Sequence, residues 1–311
     1  MADKEMRQIY TETLIELAEK DPNIVVLEAD LMKSTGTSSF AKKFPDRFFD
    51  VGVAEANMVG IASGLSAVGK IPFAATFACF ATRRAHDQFF ISANYARLNV
   101  KLVGADPGVT AAFNGGTHMP FEDIALTRVI PDLIVFEPSD PVSLKKLLVK
   151  SAYHNGCTYM RLHRKVTNKI YNDSEEFEFG KGKILTNGDD AVIFALGVVC
   201  VNEALKAAQI LSNEGINVTV VDIISVKPID KELIISLAKR CKIVLTFENH
   251  QIINGLGSAV CEVLSENYPT KVIRLGVQDL FGEVGTVDYL KKRFGITAEN
   301  VVQHVKKALD K

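Results

Sequence analysis

The stretch VGVAEANMVGIASGLSAVGKIPFAA, residues 51–75, sets the fold class. It predicts a helix over residues 54–68 followed by a strand over residues 71–75. Short apolar runs with β-branched residues alternate with helical patterns in this way nearly throughout the chain, which is typical of parallel sheets covered by helices. We therefore predict an α/β fold with two doubly wound domains and mainly parallel sheets.

The chain is long enough for two hydrophobic cores, because its 311 residues are about twice the roughly 150 residues of a usual domain. The alternation lapses into polar residues over 165–190, a composition that suits a linker. We predict a first domain over residues 1–168, a linker over residues 169–187 and a smaller second domain over residues 188–311.

The charge balance and apolar runs exclude several classes of partner. Lys and Arg number 36 against 37 Asp and Glu, so no overall field attracts nucleic acid or an anionic membrane. The longest strongly apolar run, residues 191–201, is far shorter than the roughly 20 residues of a membrane helix. Five scattered cysteines form neither a disulfide framework nor a paired metal motif. We expect a cytoplasmic protein that binds no nucleic acid and no membrane.

Glu55 is the candidate for acid–base chemistry. Its helical neighbours three and four residues away are all apolar: Val51, Gly52, Met58 and Val59. The carboxyl is either solvated at the start of its helix, where the helix dipole favours acids, or buried with a chemical task. Further along, Phe77 and Phe80 are three residues apart. If that segment is helical, they either stack on a flat ring in one cavity or belong to the ordinary core.

Residues 104–123 follow a predicted strand and contain glycines and prolines, which predicts a ligand loop. Its His118 is either a proton-transfer group or a structural or exposed histidine. At the end of the next predicted strand, Arg161 or Arg164 could hold a phosphate through a forked pair of hydrogen bonds. Ion pairing at a surface or interface is an equally good explanation for these arginines.

Together these segments resemble transketolase, with its pyrimidine-binding domain followed by its C-terminal domain, over essentially the whole chain. The matching motifs are Phe48-x-x-Val51-Gly-Val-Ala-Glu55-Ala-Asn-Met, Thr76-Phe77-Ala-x-Phe80, Arg84-Ala-x-Asp87-Gln88, Gly116-Thr117-His118-x-Pro120, Phe247-Glu-Asn-His250 and Gly255-Leu-Gly257. The resemblance implies that the first domain has the thiamine-diphosphate-binding fold and that the second is the smaller transketolase C-terminal domain.

The resemblance also implies which residues bind the cofactor. Glu55 would hydrogen-bond the ring nitrogen of the aminopyrimidine of thiamine diphosphate and favour its imino tautomer, which removes the thiazolium C2 proton. Phe77 and Phe80 would lie against the pyrimidine, and Asp30 would lie near the thiazolium. The cofactor then carries the carbanion chemistry, while the protein orients and polarises it.

Substrate roles follow from the same resemblance. The residues that match the family's phosphate-holding positions are Arg7, Ser34 and Arg164. His118 matches the histidine beside the reacting centre. Many transketolases read sugar hydroxyls with an acidic residue and a histidine where this chain has Asn114 and Asp106, whose donors and acceptors differ. Xylulose 5-phosphate is therefore only the default donor, and another ketose phosphate, including a branched one, stays open.

One family motif is absent from the sequence. The first domain of transketolases binds the diphosphate through a metal and begins that site with Gly-Asp-Gly, which does not occur here. The resemblance thus implies one half of a split transketolase, whose N-terminal partner subunit supplies the diphosphate site and the oxygen ligands of Mg²⁺. We expect no metal ligands on this chain, and a heterotetramer in which two copies of each chain pair.

Our leading hypothesis is the C-terminal subunit of a transketolase that transfers a two-carbon ketol unit from a ketose phosphate to an aldose phosphate, active only with its partner. The beta chain of a 2-oxo acid dehydrogenase and a deoxyxylulose-phosphate-synthase-like enzyme share the domain pair. The phosphate-holding residues argue against the dehydrogenase, whose substrates lack phosphate. A noncatalytic assembly partner is the alternative from another class, although it would have no need of Glu55, Phe77, Phe80 and His118 together.

Overall fold

The computed structural model describes residues 4–310. The chain forms two compact units: the first contains the residues up to Pro107 and Leu126–Phe177, and the second contains Gly108–Ala125 and the residues from Glu178 onward. The segment Gly108–Ala125 therefore groups with the second unit, although it lies between two stretches of the first along the chain.

The helices are α1 (Met6–Lys20), α2 (Met32–Thr35), α3 (Ser38–Lys43), α4 (Glu55–Ala67), α5 (His86–Gln88), α6 (Asp123–Arg128), α7 (Pro141–Tyr153), α8 (Gly197–Asn213), α9 (Lys231–Arg240), α10 (Leu256–Asn267), α11 (Val287–Arg293) and α12 (Ala298–Ala308). The strands are β1 (Ile24–Glu28), β2 (Phe48–Asp50), β3 (Ile71–Phe77), β4 (Lys101–Ala105), β5 (Ile134–Phe136), β6 (Thr158–Leu162), β7 (Lys183–Thr186), β8 (Ala191–Ala195), β9 (Val218–Asp222), β10 (Ser225–Lys227), β11 (Ile243–Gln251) and β12 (Val272–Val277). None of the helices within residues 4–310 is long and apolar enough to cross a bilayer.

In the first unit the described strands lie in the order β5-β6-β4-β3-β1-β2, and every neighbouring pair is parallel. Strands β1, β4 and β6 are buried along their whole length, as expected for a sheet covered on both faces. One side of the core contains Val25 and Leu27 from β1 together with Met58 and Ala62 from α4. The buried apolar residues of α4 thus cover the sheet.

In the second unit the sheet has the order β12-β11-β8-β9-β7. All of its neighbouring pairs are parallel except β7 with β9, which is antiparallel. Its core packs Val192 and Phe194 of β8 against Ile234 of α9 and Val260 of α10. The prediction of two doubly wound α/β domains with mainly parallel sheets is confirmed.

Candidate active site

The predicted site residues of the first unit lie at the carboxyl ends of neighbouring parallel strands. Asp30 follows β1, Phe77 ends β3, Asp106 follows β4 and Arg164 follows β6. These strands are adjacent in the sheet, so the residues that follow them meet along one edge. That edge is where open α/β sheets place their ligands.

Glu55 is the first residue of α4, and only 2% of its surface is exposed. The side chain is therefore buried, so Glu55 is not a solvated acid at the helix start. Its carboxyl oxygens accept hydrogen bonds from Nη1 of Arg84 at 3.3 and 3.1 Å. The exposed Arg84 approaches from the π-helical turn Phe80–Arg84, a cation that sequence spacing did not predict. Because α4 begins at Glu55, Met58 and Val59 are apolar neighbours on its helix, whereas Val51 and Gly52 precede the helix, contrary to the predicted helical spacing.

Phe77 and Phe80 lie side by side, with ring centroids 6.2 Å apart and ring planes 44° to each other. They do not share a helix, because Phe77 ends β3 and Phe80 begins the π-helical turn. Each ring also carries a guanidinium: Arg84 lies 4.6 Å from the centroid of Phe80, and Arg164 lies 5.0 Å from that of Phe77. The aromatic pair thus lies between Arg84, which binds the carboxyl of Glu55, and Arg164.

Two arginines converge on one backbone carbonyl. Nη1 of Arg7 donates to the carbonyl oxygen of Ser34 at 3.0 Å, and Nη1 of Arg164 donates to the same oxygen at 3.2 Å. The backbone N–H of Arg7 also donates to the carbonyl of Arg164 at 3.2 Å. The structure therefore brings together the three residues that the resemblance assigned to a substrate phosphate. Arg161, by contrast, is buried in an ion pair with Glu137.

Asp106 is nearly buried and forms an ion pair with Nη2 of Arg164. Burial raises the pKa of the Asp106 carboxyl, and the hydrogen bond and charge of Arg164 offset part of that rise. Its backbone adopts a positive φ of 52°. Where the resemblance would place a neutral imidazole, this chain thus has a carboxyl that is tied to an arginine.

Asp30 adopts a left-handed backbone conformation with φ of 58°. Its N–H donates to Oδ1 of Asp50 at 2.9 Å, and the same oxygen accepts from the N–H of Gly52 at 3.1 Å. Asp50 thereby ties the loop after β1 to the loop that leads into Glu55. Asp50 is not among the site residues predicted from the sequence, although its position at the end of β2 is a usable signal.

Asn114 and His118 belong to the second unit, within Gly108–Ala125. Asn114 is exposed, while His118 is partly buried in a 3-10 turn with Nδ1 2.9 Å from the hydroxyl of Thr117. Asn249 secures the start of the segment, because its Oδ1 accepts from the N–H of Val109 at 2.9 Å. The Phe-Glu-Asn-His motif of β11 thus holds the segment that carries Asn114 and His118.

A sheet edge with these side chains is characteristic of an α/β enzyme. Residues 2–169 match the family model of the transketolase pyrimidine-binding domain, and residues 180–301 match that of the transketolase C-terminal domain. The chain belongs to the transketolase family. This family implies thiamine diphosphate and a divalent metal.

Two relatives and one solved structure are similar over nearly the whole chain. The chain is 47% identical to the 6-deoxy-6-sulfo-D-fructose transketolase subunit SqwH of Clostridium sp. (strain MSTE9), over 96% of this chain and 92% of that protein. It is 44% identical to a putative transketolase C-terminal section of Methanocaldococcus jannaschii, over 99% and 97%. A structure described as split gene transketolase, inactive beta4 tetramer, superposes with a TM-score of 0.91 at 46% identity and 99% coverage of both chains. The resemblance to a split transketolase, and with it the assignment to a transferase, is confirmed.

Proposed function

We propose that this chain supplies the pyrimidine-binding half of a two-chain transketolase active site, which transfers a two-carbon ketol unit from a ketose phosphate to an aldose phosphate. The observation that carries the proposal is the burial of Glu55 at the start of α4, with Phe77 and Phe80 nearby. A buried carboxyl can share a proton with a ring nitrogen because water does not compete for it.

The residues present fit the pyrimidine half of thiamine diphosphate. Glu55 would hold a proton against the ring nitrogen, Phe77 and Phe80 would orient the ring, and Asp30 would face the thiazolium. When bound, thiamine diphosphate supplies the electron sink for cleavage of the carbon–carbon bond of the ketose. In the second unit, His118 would move a proton at the sugar, which suits an imidazole near neutral pH.

The substrate's anionic end would bind at Arg7, Ser34 and Arg164. Guanidinium groups match the geometry of phosphate oxygens, and the shared carbonyl of Ser34 keeps two of them together. The relative SqwH is named as a 6-deoxy-6-sulfo-D-fructose transketolase subunit, which adds a sulfonated ketose to the donors worth testing. Asp106 and Asn114 are proposed to set sugar specificity, and xylulose 5-phosphate remains the default donor.

We propose no metal ligands on this chain. Among residues 4–310, no three His, Cys, Asp or Glu side chains group in a way that could hold a metal ion. We propose that an N-terminal partner subunit supplies the Mg²⁺ ligands and the diphosphate site in a cytoplasmic heterotetramer with two copies of each chain. We also keep the domain division 1–168, 169–187 and 188–311 as a proposal.

The test is to purify this chain alone and in complex with its N-terminal partner, and to measure ketol transfer with added thiamine diphosphate and Mg²⁺. The donor panel contains xylulose 5-phosphate, a branched ketose phosphate and 6-deoxy-6-sulfo-D-fructose. We expect activity from the complex only, and a loss of about 10²- to 10⁴-fold in the Glu55→Gln complex with the partner still bound. Full activity of the chain alone, or of the Glu55→Gln complex, would contradict the proposal. Turnover of pyruvate in place of ketose phosphates would favour a dehydrogenase or synthase.

A further inference from the structure

Glu28 is a buried acid that the proposed reaction does not use. It is the last residue of β1 and is 0% exposed. Its Oε1 accepts hydrogen bonds from the hydroxyls of Thr35 at 2.6 Å and Thr37 at 2.8 Å. Among residues 4–310, its Oε2 has no hydrogen-bond partner. A buried acid is costly, so its presence between two threonines calls for a role.

The two threonines close a loop over Glu28. Thr35 directly follows Ser34, whose carbonyl binds Arg7 and Arg164, and Thr37 follows the bend at Gly36. Gly36 has φ of 92°, and a Cβ there would lie 3.0 Å from the carbonyl oxygen of Arg7. The hydroxyl bonds to Glu28 therefore fix the loop at the point where it approaches the arginine.

We propose that Glu28 is a positioning residue, which holds Thr35 and Thr37 so that Ser34 and its arginines keep the geometry that binds the anionic end of the substrate. The inference rests on the proposed function of Arg7, Ser34 and Arg164. It adds that the affinity for the anion depends on Glu28, although the side chain of Glu28 would not touch the anion.

The hold of Glu28 on Thr35 and Thr37 should depend on pH, because the carboxyl of Glu28 can ionise. Burial raises the pKa of Glu28 to about 8, against the bonds from Thr35 and Thr37, and the charge of Asp50 adds to the rise. Tyr10 of α1 also interacts with Glu28, and burial raises the pKa of Tyr10 well above its usual value, so the phenol stays neutral. Above about pH 8 the ionised carboxylate would have a charged Oε2 without a donor, and we expect the loop to loosen.

The test uses the complex with the N-terminal partner subunit, with hydroxypyruvate as donor and glycolaldehyde as acceptor, neither of which contains phosphate. Inorganic phosphate is the probe, and its inhibition constant reports the anion site. We expect Glu28→Ala to raise this constant about tenfold, as the loss of two hydrogen bonds allows. The kcat and the KM for hydroxypyruvate should stay within about twofold. Glu28→Gln keeps the acceptor oxygen and should restore phosphate inhibition. It should also remove the weakening above about pH 8 that we expect of the unaltered complex.

A second pair of variants covers the case in which Glu28→Ala fails to fold. Thr35→Val should weaken phosphate inhibition, and Thr35→Ser, which retains a hydroxyl, should not. Thr13→Val is the matched control, because Thr13 is equally buried and donates to the carbonyl of Ile9 within its own helix. Unchanged phosphate inhibition in folded Glu28→Ala and Thr35→Val, or equal losses for phosphate and hydroxypyruvate, would overturn the proposal. A complex that turns over no donor at all would instead refute the proposed function.

Discussion

Gly116 lies where the segment Gly108–Ala125 meets the loop after β12, and both belong to the second unit. A Cβ on Gly116 would lie 2.2 Å from the carbonyl oxygen of Gly282 and 2.8 Å from its carbonyl carbon. In the other direction, a Cβ on Gly282 would lie 2.8 Å from Cβ of Met119. The atoms that a Cβ on Gly116 would meet are thus backbone atoms of Gly282, which cannot move aside as the end of a flexible side chain can.

We predict that Gly116→Ala forces this contact open by about 1 Å, the difference between 2.2 Å and an ordinary van der Waals separation. Overpacking of this kind lowers the free energy of unfolding by about 1–3 kcal/mol. His118 is two residues away, and a displacement of about 1 Å in a catalytic group can cost up to ~100-fold in rate. The expected kcat of the complex is therefore about 10- to 100-fold lower.

The assay pairs urea unfolding of the chain with ketol transfer by the complex. Gly64→Ala in α4 is the control, because a Cβ there meets nothing within 4 Å and alanine favours a helix by up to about 1 kcal/mol. Gly116→Ala with unchanged stability and kcat would show that the two backbones separate freely, which refutes the reasoning. If Gly116→Ala loses stability but keeps its kcat, His118 takes no part in the proposed chemistry.

Three further predictions rest on single contacts. Arg84→Met leaves the buried carboxyl of Glu55 without its cation, so we expect weaker binding of thiamine diphosphate in a titration of the complex, partly restored by Arg84→Lys. Gly255→Ala puts a Cβ 1.9 Å from Oε2 of Glu248, so urea unfolding should show a loss of about 1–3 kcal/mol. Because the pKa of Glu28 is raised from 4.5 to about 8, its contribution to stability is complete below pH 4.5 and is lost as the pH rises toward 8. Glu28→Gln should therefore flatten the fall in unfolding free energy across that range, and an unchanged pH slope would contradict this.

Much of the fold was predictable because buried parallel strands are continuous apolar runs. The apolar run at residues 24–27 lies in β1, which extends by one residue to Glu28. The extension has a physical cause: Glu28 is an acidic residue, but the hydroxyls of Thr35 and Thr37 donate to its carboxyl and allow it to end a buried strand. Local pattern cannot anticipate a burial that depends on residues beyond the next turn.

The site residues that belong to a sequence motif were predictable, whereas those that reach the site through contacts between distant residues were not. Glu55 was identified within its motif, but its cation Arg84 comes from 29 residues further on, through a π-helical turn that no spacing predicts. The spacing of the aromatic pair allowed both rings on one helix, whereas the pair spans the junction of β3 and that turn. The grouping of Gly108–Ala125 with the second unit includes a close approach of Gly116 to Gly282, which leaves no trace in hydrophobic periodicity.

The glycines at the start of α10 illustrate why a motif needs its structural surroundings. Gly255-Leu-Gly257 resembles part of a dinucleotide-binding fingerprint, which uses a helix N-terminus to bind phosphate. Here the carboxylate of Glu248 already accepts from the N–H of Leu256 at 2.7 Å and from that of Gly257 at 2.8 Å. The helix start therefore binds the protein's own anion. These glycines leave room for the side chain of Glu248 and not for a nucleotide. A glycine motif that indicates a cofactor site in other proteins therefore stabilises the second unit here.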